Sequence, residues 1–174
     1  MSLYFIAVVP QQKIAEKAKQ FSKDFADRFN SVKSYQNFPH ITVIKPFHLE
    51  DIEEHSLVRK FSEMTIKSRP FDLKLKGFGC FANRTNPVIF IKPENKDELQ
   101  KLYDEVQQQL NFHPISEFHP HLTVAYRDLT FENFKKAWEE YEKKTFEDSF
   151  LIDKICLFKH YDGIWNLLKI KSIA

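Results

Sequence analysis

Two five-residue runs of this chain share one pattern, Pro39-His40-Ile41-Thr42-Val43 and Pro120-His121-Leu122-Thr123-Val124. From ordinary residue frequencies a second copy would arise by chance in on the order of one chain in ten thousand, so the pair asks for a shared structural cause. Alternate side chains of a strand point to one face. On a strand His40, Thr42 and Ile44 therefore face one way, and Ile41 and Val43 face the other, toward covering helices. The same holds for His121 and Thr123 against Leu122 and Val124. Proline has no N–H to give a ladder and is tolerated at a strand's first residue, which is where Pro39 and Pro120 belong. Each copy sets an imidazole beside a hydroxyl on one sheet face.

The surrounding pattern repeats as well. Leu3 to Val9 reads as a buried strand ended by Pro10, and Ile14, Ala18, Phe21, Phe25 and Phe29 then recur at helical steps before the first motif. In the second half, "PVIFIKP" reads as a short strand. Asn95 with Glu98 resembles a capping box, and Leu99, Leu102, Val106 and Leu110 carry a helix into the second motif. Strand-helix-strand thus occurs twice, each time with the motif on its second strand, which reads as an internal duplication. Leu57, Phe61 and Met64 mark a further helix, and "FDLKLKGFG" alternates as a half-buried strand. Phe131, Phe134, Trp138 and Tyr141 mark the last helix. "FLIDKICLF" and "IWNLLKIKSI" read as two strands joined in a hairpin at Asp162-Gly163. These elements predict one α+β domain over residues 1–174: two antiparallel sheets, helices packed outside, and a pseudo-twofold, bilobal arrangement about a central cleft. Eighteen Phe residues supply area for a full core even where a cleft divides it.

A formal charge of +2 gives no long basic track, so a nucleic-acid partner would be a short end or a single nucleotide. Cys80 and Cys156 show neither metal-ligand spacing nor a disulfide framework, and the N-terminus reads as a strand without signal-peptide features. The expectation is a monomeric cytoplasmic protein with no membrane segment.

Two imidazoles and two hydroxyls converging on one cleft suit phosphodiester chemistry. A neutral imidazole takes a proton from water or a ribose hydroxyl, and an imidazolium protonates the leaving oxygen. The threonine hydroxyls donate to the non-bridging phosphate oxygens. Such a set calls for no metal and no cofactor. The paired motifs resemble those of the 2H (two-histidine) phosphoesterases, in particular the bacterial 2'-5' RNA ligase and 2',3'-cyclic phosphodiesterase group. "LKGFGCFANRTNPVIFIKPENKDELQKLYDEVQQQL" followed by "FHPHLTVAYRD" is similar to that group's central block. The resemblance implies a bilobal fold with both motifs in the cleft. It assigns His40 and His121 as catalytic and Thr42 and Thr123 as phosphate-binding. It also implies an RNA end or a small nucleotide with a cyclic phosphate as the substrate.

The chain departs from the group in one place. An arginine commonly stands five residues beyond the second histidine; here that position is Tyr126, and Arg127 follows, on the opposite face unless the strand has ended or bulged. Lys45, five beyond His40, likewise points away on a regular strand, unless Pro46 ends the ladder there and re-aims it. Lys45, Phe81, Tyr126 and Arg127 are the further candidate contacts. Phe81 and Phe47 fit a base-stacking role or plain core. His119 with His121 could share a metal, but no acidic or cysteine partner accompanies them, so His119 reads as a rim or structural residue. His48, His55, His113 and His160 read as surface residues. Two competing readings stand beside the enzyme: a nucleotide- or RNA-binding module of the same fold without turnover, and a histidine-based metal hydrolase.

Overall fold

A computed structural model describes residues 1–173. The elements follow the order β1 (Ser2–Val8), α1 (Gln12–Phe29), α2 (Lys33–Gln36), β2 (Ile41–Leu49), a 3-10 turn (Asp51–Glu53), α3 (Glu54–Glu63), β3 (Phe71–Phe81), β4 (Val88–Pro93), α4 (Lys96–Leu110), β5 (Leu122–Ala125), α5 (Phe131–Tyr141), β6 (Glu147–Ile152), β7 (Lys154–Tyr161) and β8 (Ile164–Ser172). The mixed helix-and-strand class agrees with the sequence, but the strands form one continuous antiparallel sheet and not two. Its order is β6-β3-β4-β5-β2-β1-β7-β8. The two halves join where β2 meets β5, through the single pair Ile41–Leu122.

That order reads as a palindrome about the β5–β2 seam, and the registers repeat too. Ile6, Ala7 and Val8 of β1 lie opposite Ile44, Thr42 and Ile41. Ile89, Phe90 and Ile91 of β4 lie opposite Ala125, Thr123 and Leu122. In both pairs the partner strand advances one residue while the motif strand advances two. Each motif strand therefore carries a bulge, at Val43 and at Val124. A duplicated β-bulge beside a candidate site is the kind of feature that re-aims neighbouring side chains.

One face of the sheet is covered by helices. The apolar stripe of α1 (Ile14, Ala18, Phe25, Phe29) and the residues Phe134, Ala137 and Tyr141 of α5 are buried in the main core. The helices cross the seam: α1 packs on β5 of the other half, and α4 packs on β2. A smaller aromatic cluster, Phe5, Ala7, Cys156 and Phe158 with Phe38 and Trp165 against it, lies outside the main core.

Three local expectations differ. "FLIDKICLF" is two strands broken at Asp153: β6 pairs with β3 at one edge, and β7 pairs with β1 and β8 near the other. Its apolar run hid the change of neighbours. Asn95 does stand at the start of α4, but makes no capping hydrogen bond there. Its amide instead accepts from Lys74 N (2.7 Å) and donates to Asp72 O (2.8 Å), tying α4 to β3. The short α2 carries no periodic signal. It is held by the Asp128 carboxylate, which accepts from Val32 N and Ser31 Oγ, both at 2.9 Å. No helix of the described residues is long and apolar enough to cross a membrane.

Candidate active site

The pair Ile41–Leu122 determines the geometry of both motifs. In an antiparallel register, stepping one residue outward on each strand sets His40 across from Thr123, and Thr42 across from His121. All four side chains share the face opposite the fully buried Ile41 and Leu122. Diagonal neighbours in such a pair stand roughly 7–8 Å apart, which suits two imidazoles flanking one phosphate. A cavity of about 320 Å³ opens there, lined by His40, Thr42, His121, Thr123, Tyr126 and Arg127, with Asn37, Asn86, Phe38 and Trp165 among its other walls.

The histidines precede their ladders by one residue, and each is oriented in the same way. His40 Nδ1 lies 2.8 Å from Phe38 O, and His121 Nδ1 lies 2.7 Å from His119 O. A carbonyl only accepts, so each Nδ1 carries a proton, and Nε2 is the nitrogen left for chemistry. Aromatic rings hold each imidazole laterally: Phe5 (5.0 Å) and Phe38 (4.8 Å) for His40, Phe81 (5.0 Å) and Phe90 (5.3 Å) for His121. Burial pushes the pKa of both histidines below the ordinary value, with the carbonyl hydrogen bond opposing it. The charge of His121 lowers that of His40 further, and Lys45 and His119 lower that of His121.

Arg127 lines the motif cavity, where a regular strand would not put it, whereas Lys45 lines only the neighbouring hollow. β5 ends at Ala125, and Arg127 adopts a left-handed φ of 60°, so it lines the cavity with Tyr126. The guanidinium carbon lies 5.3 Å from the centre of the Tyr126 ring. Pro46 does not end β2, which runs on to Leu49. The pairing with β1 slips instead between Tyr4–Phe47 and Ile6–Ile44. Lys45 lies in this slip, just past the bulge at Val43, and its Nζ donates to Ser116 Oγ at 3.1 Å. Phe81 is partly exposed and serves both readings, packing on His121 and Phe90 while lining a neighbouring hollow. Phe47 is half-buried against Tyr4 and Phe112. His119 is a rim residue, with Nε2 3.7 Å from Glu117 and its carbonyl holding His121. His48, His55, His113 and His160 are exposed. Among the described residues, no three His, Cys, Asp or Glu side chains stand together as a metal site needs.

Asn37, Asn86 and Trp165 did not stand out in the sequence. Asn86 lies in a loop without periodicity, and Trp165 arrives from the edge hairpin. Phe38 had a signal in hindsight: it holds the place before Pro39 that His119 holds before Pro120, and both supply the carbonyl to the histidine.

The sequence pattern described as the 2'-5' RNA ligase superfamily matches residues 10–164. A Bacillus licheniformis protein provisionally named a phosphoesterase is 30% identical over 123 residues, covering 70% of this chain and 69% of that one. An RNA 2',3'-cyclic phosphodiesterase of Thermotoga maritima is 27% identical over 129 residues, 70% of this chain and 67% of that one. The crystal structure of Escherichia coli LigT complexed with 3'-AMP superposes with a TM-score of 0.69 at 19% identity, covering 99% of this chain and 98% of the other.

Proposed function

Because this chain belongs to the 2'-5' RNA ligase superfamily, we propose that it is a metal-independent phosphoesterase, with the two motifs as its working parts. Its substrates are 2',3'-cyclic phosphates or 2'-5' phosphodiesters of RNA ends or small nucleotides, which it hydrolyses or, in reverse, ligates. The observation that carries this is the cross-strand exchange of partners. One register sets each histidine opposite the other motif's threonine on the cavity face.

Hydrolysis needs one proton removed and one delivered. A neutral Nε2 takes a proton from water as its oxygen bonds to phosphorus. The opposite imidazolium then gives its proton to the ribose oxygen as the P–O bond breaks. Thr42 and Thr123 donate to the non-bridging oxygens, where negative charge gathers, and Arg127 adds a positive charge at the cavity wall. In the free protein burial keeps both rings toward the neutral form, and an entering phosphate anion favours the one proton that the acid needs.

A substrate panel tests the reading: RNA ending in a 2',3'-cyclic phosphate, small cyclic nucleotides, other cyclic phosphates and 2'-5' oligoadenylate, with products assigned by phosphorus NMR. We expect turnover of at least the cyclic nucleotides, unchanged by EDTA. Absence of turnover in every class would overturn the proposal, and so would activity lost in chelator and restored by metal.

A further inference from the structure

Asp128 follows the left-handed Arg127 at the exit of β5, in the second half of the chain, yet its carboxylate serves the first half. Its Oδ1 accepts from Ser31 Oγ at 2.9 Å, and its Oδ2 accepts from Val32 N at 2.9 Å and Lys33 N at 3.2 Å. These residues open α2, and a helix of four residues is not stable by itself in water. The other side-chain tethers of α2 are long or exposed. Ser34 Oγ stands 3.4 Å from both Ser22 Oγ and Thr123 O, and Lys19 Nζ reaches Tyr35 O at the surface. From α2 a run of directional bonds leads to the active site. Asn37 N donates to Ser34 O at 3.2 Å, Asn37 Oδ1 accepts from Phe38 N at 2.9 Å, and Phe38 O lies 2.8 Å from His40 Nδ1. Packing of the Phe38 ring on Phe158 (4.8 Å) fixes where that residue lies. Apolar contact is non-directional, however, and does not aim the carbonyl. The segment before His121 is held otherwise, by one exposed bond from Lys45 Nζ to Ser116 Oγ.

We propose that Asp128 is a positioning residue for His40. It does not line the motif cavity; it holds the segment whose carbonyl keeps the His40 proton on Nδ1 and so leaves Nε2 free. The second half of the chain thereby aims the histidine of the first. Without that carbonyl in place the proton is shared between the two ring nitrogens, and fewer molecules present Nε2 as a base. The effect on turnover rests on the phosphoesterase reading above, and the effect on the His40 ring does not.

Long-range nitrogen–proton NMR of the imidazoles tests this on the full chain, above about pH 8 where both rings are neutral. His40→Gln and His121→Gln assign the signals. In the wild type both rings should carry their proton on Nδ1. Asp128→Ala should leave His40 a mixture of tautomers and His121 unchanged. Its kcat on a 2',3'-cyclic nucleotide should fall about 10-fold, less than the roughly 10²-fold that a 1 Å misplacement can cost. Asp128→Asn should restore both readouts. Its oxygen accepts from Val32 and Lys33, and its amide donates to Ser31, whose hydroxyl also accepts. Arg127→Ala removes the neighbouring guanidinium but keeps the carboxylate, and should leave the His40 tautomer as in wild type. If Asp128→Ala does not fold, Ser31→Ala decides: it removes one of the three bonds and should shift both readouts the same way by less. A single Nδ1–H tautomer at His40 in the folded variant would overturn the proposal. So would equal changes at His121, an altered His40 tautomer with wild-type kcat, or Asp128→Asn behaving like Asp128→Ala. Wild-type protein without turnover would contradict the phosphoesterase reading and leave the tautomers to decide on Asp128.

Discussion

At His40 and His121 a backbone carbonyl fixes Nδ1–H and burial resists a second proton, so the pair responds to pH in two ways. A histidine whose native pKa lies below its unfolded one stabilises the fold above the unfolded value, near 6.5, and that stability is lost as pH falls through the native value. The His40→Gln, His121→Gln double variant should therefore lose less stability than wild type on acidification below pH 6.5, as read by urea midpoints. The same depression places the acid limb of kcat/KM below pH 6.5. A bound phosphate anion favours the imidazolium, so the kcat optimum should lie at higher pH than that of kcat/KM, with both limbs belonging to the pair. A kcat optimum at or below that of kcat/KM would contradict the assignment. Thr42→Val and Thr123→Val keep the shape and delete one hydroxyl each. Each should cost about 1.5–3 kcal/mol of transition-state stabilisation if the bond is to a charged phosphate oxygen, and steady-state kinetics would show a negligible loss if it is not.

β3 shows how an element supports the site from a distance. Gly77, at φ +66°, sits where the pairing with β4 slips between Leu75 and Phe78. Gly79 lies opposite Phe90, and a Cβ there would come within 2.6 Å of the Phe90 ring that packs on His121. Gly79→Ala should cost roughly 1–3 kcal/mol of stability through overpacking and lower activity by displacing that ring. Phe90→Leu should recover part of both losses in a double-mutant cycle; purely additive effects would show that the two sites are uncoupled. What was legible in the sequence follows the same division. The periodicities of α1, α4 and α5 and the alternation of Leu73 and Leu75 are local signals, and the structure has those elements. The position of Arg127 depends on a strand end and a left-handed residue, neither of which side-chain periodicity records. Asp153 separates two strands with different partners inside a single apolar run, so only tertiary pairing reveals the break.

Across the whole molecule, one sheet replaces the expected two because of a single pair at the seam, Ile41–Leu122. Strand pattern alone could not announce it. The same pair brings the motifs together, and the halves are further locked by α1 on β5, by α4 on β2 and by the passage from β6 to β7 at Asp153. Such interlocking predicts one cooperative transition. Urea unfolding followed by fluorescence of Trp138 and Trp165, in opposite halves, should coincide with that followed by circular dichroism; separated midpoints would mean independent lobes. The larger claim is that the seam assembles a catalytic unit rather than a binding cleft, and the histidines test it most directly. Steady-state hydrolysis of a 2',3'-cyclic nucleotide should be compared for wild type, His40→Ala, His121→Ala and the double variant, with circular dichroism confirming the fold. Each single variant should lose at least about 10²-fold in kcat, and the double should be little worse than the poorer single, because the two act as a unit. Folded single variants with near-wild-type turnover would contradict the account.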